Sequence, residues 1–295
     1  MSESNKRNFI VHGSILAIAG ILVRIIGMLY RIPVVNIIGS EGNGIYGAAF
    51  NIYNIMLVLS SYGLPMAVSK LVSARFTKRR YKSAAKVLRC SLMVAVCTGG
   101  IAALLVFFGA SFIENVIYGG GLPGLAIPLR ILAPTIFLVA ILGVIRGFFQ
   151  GQSTMIPTAV SQILEQIVNA IVSIAAGYGM MKAFASSPDV AAYGAAGSTL
   201  GTAMGALTAV LFMGFLYAVY TPTFNRLKRK DRHTENQSTG QICKIIIYTM
   251  IPIILGQTFY QISALIDDVM FSNIMVGRDI TKSISMDLGN FSSSY

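Results

Sequence analysis

The stretch Arg146–Gln166, RGFFQGQSTMIPTAVSQILEQ, sets an arginine, four glutamines and a glutamate between two of the most apolar blocks of the chain. What such a run means depends on the solvent around it. Of the 295 residues, 55% are hydrophobic and 12% are charged, and the mean hydropathy is +0.69. A soluble domain carries about twice that share of charge. The apolar residues also fall in blocks of about 20, the length of helix that crosses roughly 30 Å of hydrocarbon. Seven blocks stand out: 9–35, 45–69, 84–110, 125–150, 156–182, 193–220 and 244–275. The first is too long for a cleavable signal peptide, and no small-residue cleavage site follows it. The sequence predicts an all-α polytopic membrane protein with about seven transmembrane helices. The polar stretch then begins as a hairpin between the fourth and fifth helices.

Charge gives the orientation. Lys6 and Arg7 precede the first block; Lys70, Arg75, Lys78, Arg79, Arg80, Lys82 and Lys86 follow the second; Arg226, Lys228, Arg229, Lys230 and Arg232 follow the sixth. The alternate connections 36–44, 111–124 and 183–192 hold no Lys or Arg, only Glu41, Glu114 and Asp189 as charged residues. This alternation is the positive-inside pattern and places the N-terminus in the cytoplasm. The net charge of +12 is thereby explained by topology, and no nucleic-acid partner is expected.

Enzyme chemistry finds no support. Cys90, Cys97 and Cys243 imply no disulfide framework, and His12 and His233 are too far apart in sequence to suggest a metal site. Gly42-Asn43-Gly44-Ile45-Tyr46-Gly47 matches a dinucleotide fingerprint by letter, but no strand precedes it. No cofactor is expected.

The polar residues inside the spans carry the functional reading. In the hairpin, Arg146 and Gln150 sit where they can reach headgroups, Gly147 and Gly151 loosen the helix end, and Ser153 or Thr154 can cap the next helix ahead of Pro157. Beyond it, Gln162, Glu165, Gln166, Asn169 and Ser173 share one helical face. Glu165 lies roughly 12 Å and Asn169 roughly 18 Å past Pro157. Polar groups that deep face other helices or a wet cavity.

The first span holds the stronger signal. Gly20, Arg24, Gly27 and Arg31 share a face, and small residues mark the side where helix backbones approach. An arginine near mid-membrane costs about 2.5–3.5 kcal/mol on insertion scales. Arg31 can snorkel to the outer surface. Arg24 has two readings, an ion pair with Glu165 or the wall of an anion-binding cavity. Asn51 and Asn54 lie in the outer half of the second span, and Pro65 bends its other end. Gly197, Gly201 and Gly205 read as a helix-packing ridge. In the seventh span Gln257 and Gln261 share a face, while Asp267 and Asp268 are either interfacial or inward-facing.

Gly27-Met28-Leu29-Tyr30-Arg31-Ile32-Pro33, Ile38-Gly39, Gly44-Ile45-Tyr46, Gly63-Leu64-Pro65, Ser69-Lys70-Leu71 and the Arg146–Gln166 hairpin together resemble the stage V sporulation protein B-like polysaccharide transporters. These group with the MurJ-type lipid II flippases in the multidrug/oligosaccharidyl-lipid/polysaccharide exporter superfamily. The resemblance implies two six-helix lobes around a V-shaped cavity that opens alternately to either side, and a polyprenyl-pyrophosphate-linked saccharide as substrate. It makes residues 1–220 one six-helix lobe, 221–243 a basic linker, and 244–295 the first helix of an incomplete second lobe. A complementary half or a second copy is then an expected partner, beside membrane lipids and a possible coupling cation, and the chain alone is expected to be inactive. The expected substrate-facing residues are Arg24, Arg31, Asn51, Asn54, Gln162, Glu165, Asn169 and Gln257. The body of the second span lacks the basic residue of the lipid II flippases proper, which leaves the saccharide open. A cation-coupled drug antiporter of the MATE type is the alternative, and would want acids central in the cavity.

Overall fold

The computed structural model describes residues 3–232, 237–276 and 287, and among these there is no strand. Seven α-helices follow in order: α1 (Glu3–Leu57), α2 (Gly63–Thr77), α3 (Tyr81–Phe112), α4 (Ala126–Gly151), α5 (Ile156–Ala183), α6 (Val190–Lys230) and α7 (Thr239–Val276). Six apolar helical runs are long enough to cross a membrane, and the first, Gly13–Thr77, has 65 residues. At 1.5 Å per residue it would measure about 100 Å, roughly three bilayer cores. It breaks at Gly39, whose φ of 70° and ψ of 178° belong to a region that only glycine visits freely. Two crossings meet there without the loop expected over 36–44.

The second crossing continues from α1 into α2 through a π-helical turn, Val58–Tyr62. The cause lies just beyond, in Pro65. A proline has no N–H and its ring presses on the carbonyl four residues back, here that of Ser61, so the turn widens instead of the helix ending. At the other membrane face the loop between α3 and α4 is fixed by Glu114. Its carboxylate accepts the amides of Gly124 (3.0 Å) and Ala126 (2.7 Å), satisfying donors at the start of α4.

The core has two centres. One, toward Gly39 and the acidic connections, gathers Tyr46, Tyr53, Tyr118, Leu129 and Ile136. The other, toward the basic connections, gathers Leu64, Val72, Phe148, Phe224 and Ile246. α4 runs through both. Its Gly147 and Gly151 do not loosen the helix end, as the sequence suggested. A Cβ at Gly147 would lie 2.6 Å from the Pro65 carbonyl oxygen, and one at Gly151 would lie 2.7 Å from Val72 Cβ. They are the notch into which α2 packs. Ser153 and Thr154 likewise make no side-chain cap on α5; Ser153 takes the left-handed conformation at φ 61° and Pro157 opens the helix.

α6 extends beyond its apolar block to Lys230, so most of the basic run is helical. Buried Asp231 then accepts the Lys82 amide at 2.8 Å at the start of α3, and Gln237 Oε1 accepts from Arg75 at 2.8 Å. α7 touches the bundle at both ends. Met250 fills the space above Gly63, and at the far end Ser272 and Asn273 each donate at 2.9 Å to the carbonyls of Tyr118 and Ile117.

Candidate functional site

The site begins at the seam between α1 and α5. Gly27 sits so close to α5 that a Cβ there would lie 3.2 Å from Gln166 Nε2. One turn along, Asn169 Nδ2 donates to the Tyr30 hydroxyl at 3.2 Å. Arg24 and Arg31 share the helical face of Gly27, so they flank the point where α1 meets the polar face of α5. Both are exposed. Arg24 makes no hydrogen bond or ion pair among the described residues.

Of the two readings of Arg24, the ion pair with Glu165 is not formed, because α4 supplies the partner. Arg146 Nη2 binds Glu165 Oε2 at 2.7 Å, and its Nε donates to Ser161 at 2.9 Å. Arg146 therefore turns inward, not out to the headgroups. The hairpin explains the choice. Arg146 and Ser161 lie equally far from the midpoint of the α4–α5 turn, hence at equal depth, and Glu165 is one turn further along α5. The two side chains are 14% and 26% exposed, so the pair is half-sheltered and the glutamate's charge is matched.

The polar face of α5 divides in two. Asn169 and Ser173 are buried in the bundle. Ser173 donates to the Ser198 carbonyl at 2.8 Å, and hydrogen-bonds the Asn169 side-chain oxygen at 2.9 Å. The glycine ridge of α6 lies directly on them, since a Cβ at Gly201 would come within 2.6 Å of the Asn169 carbonyl oxygen. Asn169 is helix glue, tying α1, α5 and α6. Gln162 and Gln166 are half-buried and, among the described residues, make no hydrogen bond, so they can meet water or a ligand.

The remaining expected residues scatter. Asn51 Nδ2 donates to Asp268 Oδ2 of α7, which makes that aspartate an inter-helix partner rather than an interfacial charge. Asn54 is half-buried without a hydrogen bond among the described residues, and Gln257 is exposed on α7, bonded to none of the others. The structure thus assembles Arg24, Arg31, Gln162, Glu165 and Asn169 along one seam, and leaves Asn51 and Gln257 on or against α7. Arg146 and Tyr30 were missed as partners. The equal depth of Arg146 and Ser161 in the hairpin was readable in the sequence; the reach of Tyr30 across to α5 had no sequence signal.

Residues 10–295 match the polysaccharide biosynthesis protein family. The chain belongs to that family. Proteins similar to it include the lipid II flippase MurJ of Bacillus subtilis (strain 168), 34% identical over 176 residues, covering 58% of this chain and 32% of that one. Stage V sporulation protein B of the same organism is 30% identical over 210 residues, covering 70% of this chain and 39% of its own length. The chain therefore spans well under half of either relative in these matches. Among solved structures, an inward-facing multidrug resistance MATE family transporter of the MOP superfamily superposes with a TM-score of 0.67 at 17% identity, over 97% of this chain and 60% of that one. The fold of this polysaccharide biosynthesis family member is thus of the MATE type, and it is a multi-pass membrane protein similar to transporters and flippases.

Proposed function

We propose that this chain supplies one wall of a flippase that moves a polyprenyl-pyrophosphate-linked saccharide across a bacterial cytoplasmic membrane by alternating access. One observation carries the reading. Along the α1–α5 seam Glu165 is neutralised by Arg146, while Arg24 stands exposed without an ion-pair partner among the described residues. The seam therefore carries net positive charge at a depth where charge is costly. A pyrophosphate suits it, since the planar guanidinium forms paired hydrogen bonds to phosphate oxygens. Gln162 and Gln166 supply neutral donors for sugar hydroxyls. The opposing wall comes from a second lobe or a second copy, and the polar face of α7 with Gln257 contributes to it. No step of this cycle makes or breaks a covalent bond, so the protein acts as a transporter and not as an enzyme.

The same observation weighs against the drug antiporter. A cation carrier needs a carboxylate free to exchange its counter-ion, and the one central acid on this seam is held by Arg146. The orientation follows the charge alternation, with the turn at Arg79 and the run around Arg229 cytoplasmic and Glu41 and Asp189 outside. In a background without native cysteines, Ser40→Cys and Ser187→Cys should react with an impermeant maleimide in intact cells, and Ser238→Cys should not. For transport, vesicles holding the protein and its opposing wall should expose a fluorescent lipid-linked saccharide to an outside quencher. Proton-coupled efflux of a cationic dye without lipid movement would favour the antiporter instead.

A further inference from the structure

A cleft of about 610 Å³ runs between α2 and α7, lined by Met66, Lys70, Ile245, Tyr248, Thr249, Pro252 and Ile253. We propose that it binds an anionic phospholipid of the leaflet on the basic-loop side, with the headgroup phosphate on Lys70 and an acyl chain between Met66 and Ile253. This stands apart from the flippase reading, because Arg24 and Arg31 lie on α1 and take no part.

Two features point to that ligand. The first is depth. Lys70 lies seven residues inside the end of α2 at Thr77, about 10 Å along the helix, where phosphates give way to acyl chains. Its side chain is exposed and, among the described residues, makes no hydrogen bond or ion pair. The second is the mixture of chemistries. Lys70 is the one cation of the lining and Lys244 lies over the Tyr248 ring at its edge, while Met66, Ile245, Pro252 and Ile253 with the Thr249 side chain complete the walls, which matches a phosphodiester above hydrocarbon. Phosphatidylglycerol combines the anion and the chains.

The test is native mass spectrometry of the intact 295-residue chain, titrated with phosphatidylglycerol, phosphatidylcholine and a polyprenyl phosphate. Phosphatidylglycerol should bind most tightly. Lys70→Gln should weaken it about five-fold, the loss expected for one lysine near a lipid phosphate, and Lys70→Arg should retain it. Lys182→Gln, near the opposite membrane face, should change nothing. Ile253→Trp fills the cleft with Lys70 in place and should also lower retention, which decides the matter if Lys70→Gln fails to fold. Unchanged binding by Ile253→Trp or by folded Lys70→Gln overturns the site. Equal binding of phosphatidylcholine overturns the role of charge, and tighter binding of the polyprenyl phosphate overturns the choice of lipid.

Discussion

α5 has two seams, and they treat polar residues in opposite ways. Toward α6 the glycines Gly197, Gly201 and Gly205 bring backbone against backbone, and Asn169 and Ser173 are consumed as hydrogen-bonding glue. Toward α1 the contacts are looser, a glycine against the tip of Gln166 and one hydrogen bond from Asn169 to Tyr30, with two exposed arginines beside them. Polar groups of the same kind, a few residues apart on one helix, thus become structure on one side and surface on the other. What decides is whether the facing helix offers backbone or charge.

Substitutions should separate the seams. Gly201→Ala drives a methyl onto the Asn169 carbonyl and the Ser173 backbone nitrogen, neither of which can swing away. It should cost about 2–3 kcal/mol in denaturant unfolding, with loss of a monodisperse peak in the worst case. A near-neutral result would mean that the α5–α6 seam is looser than described. Glu165→Ala strands the Arg146 guanidinium and should cost about 2 kcal/mol, discounted for the partial exposure of the pair. The double variant Arg146→Ala/Glu165→Ala should recover part of that loss, and strict additivity would show that the pair is not coupled. Tyr30→Phe removes one inter-helix hydrogen bond and should cost about 0.6 kcal/mol. Smallest of all, Gly27→Ala meets only the mobile end of Gln166 and should change stability by less than about 0.5 kcal/mol, the helix propensity of alanine offsetting the contact. A large loss there would make the open seam as closed as the other.

Much of this was legible in the sequence because membrane helices advertise themselves by length and charge. The blocks at 125–150 and 156–182 match α4 and α5 to within one residue at each end. The glycine ridge of α6 was equally plain, since small residues four apart have one common use. The break at Gly39 was harder, because the polar residues of 36–44 read as a loop while the chain turns within one residue and stays helical on either side. The partner of Glu165 stayed open for a related reason. Arg24 was the charge nearest mid-membrane, but depth depends on where the hairpin turns, and the turn puts Arg146 opposite Ser161. Asp268 was ambiguous because its partner, Asn51, is 217 positions away and local pattern cannot pair them.

The central proposal is that Arg24, which has no ion-pair partner among the described residues, is a ligand for pyrophosphate. Its most direct test is equilibrium binding of a fluorescent polyprenyl-pyrophosphate-linked saccharide to the purified protein in lipid nanodiscs, with thermal unfolding followed in parallel. Arg24→Ala should weaken binding at least about ten-fold, as for the loss of a hydrogen-bonded charge, with the unfolding temperature unchanged. Arg24→Lys should fall between the two, because an ammonium keeps the charge and loses the planar fork. Binding by Arg24→Ala equal to that of the unaltered chain, or a variant that binds poorly only because it has unfolded, would contradict the account.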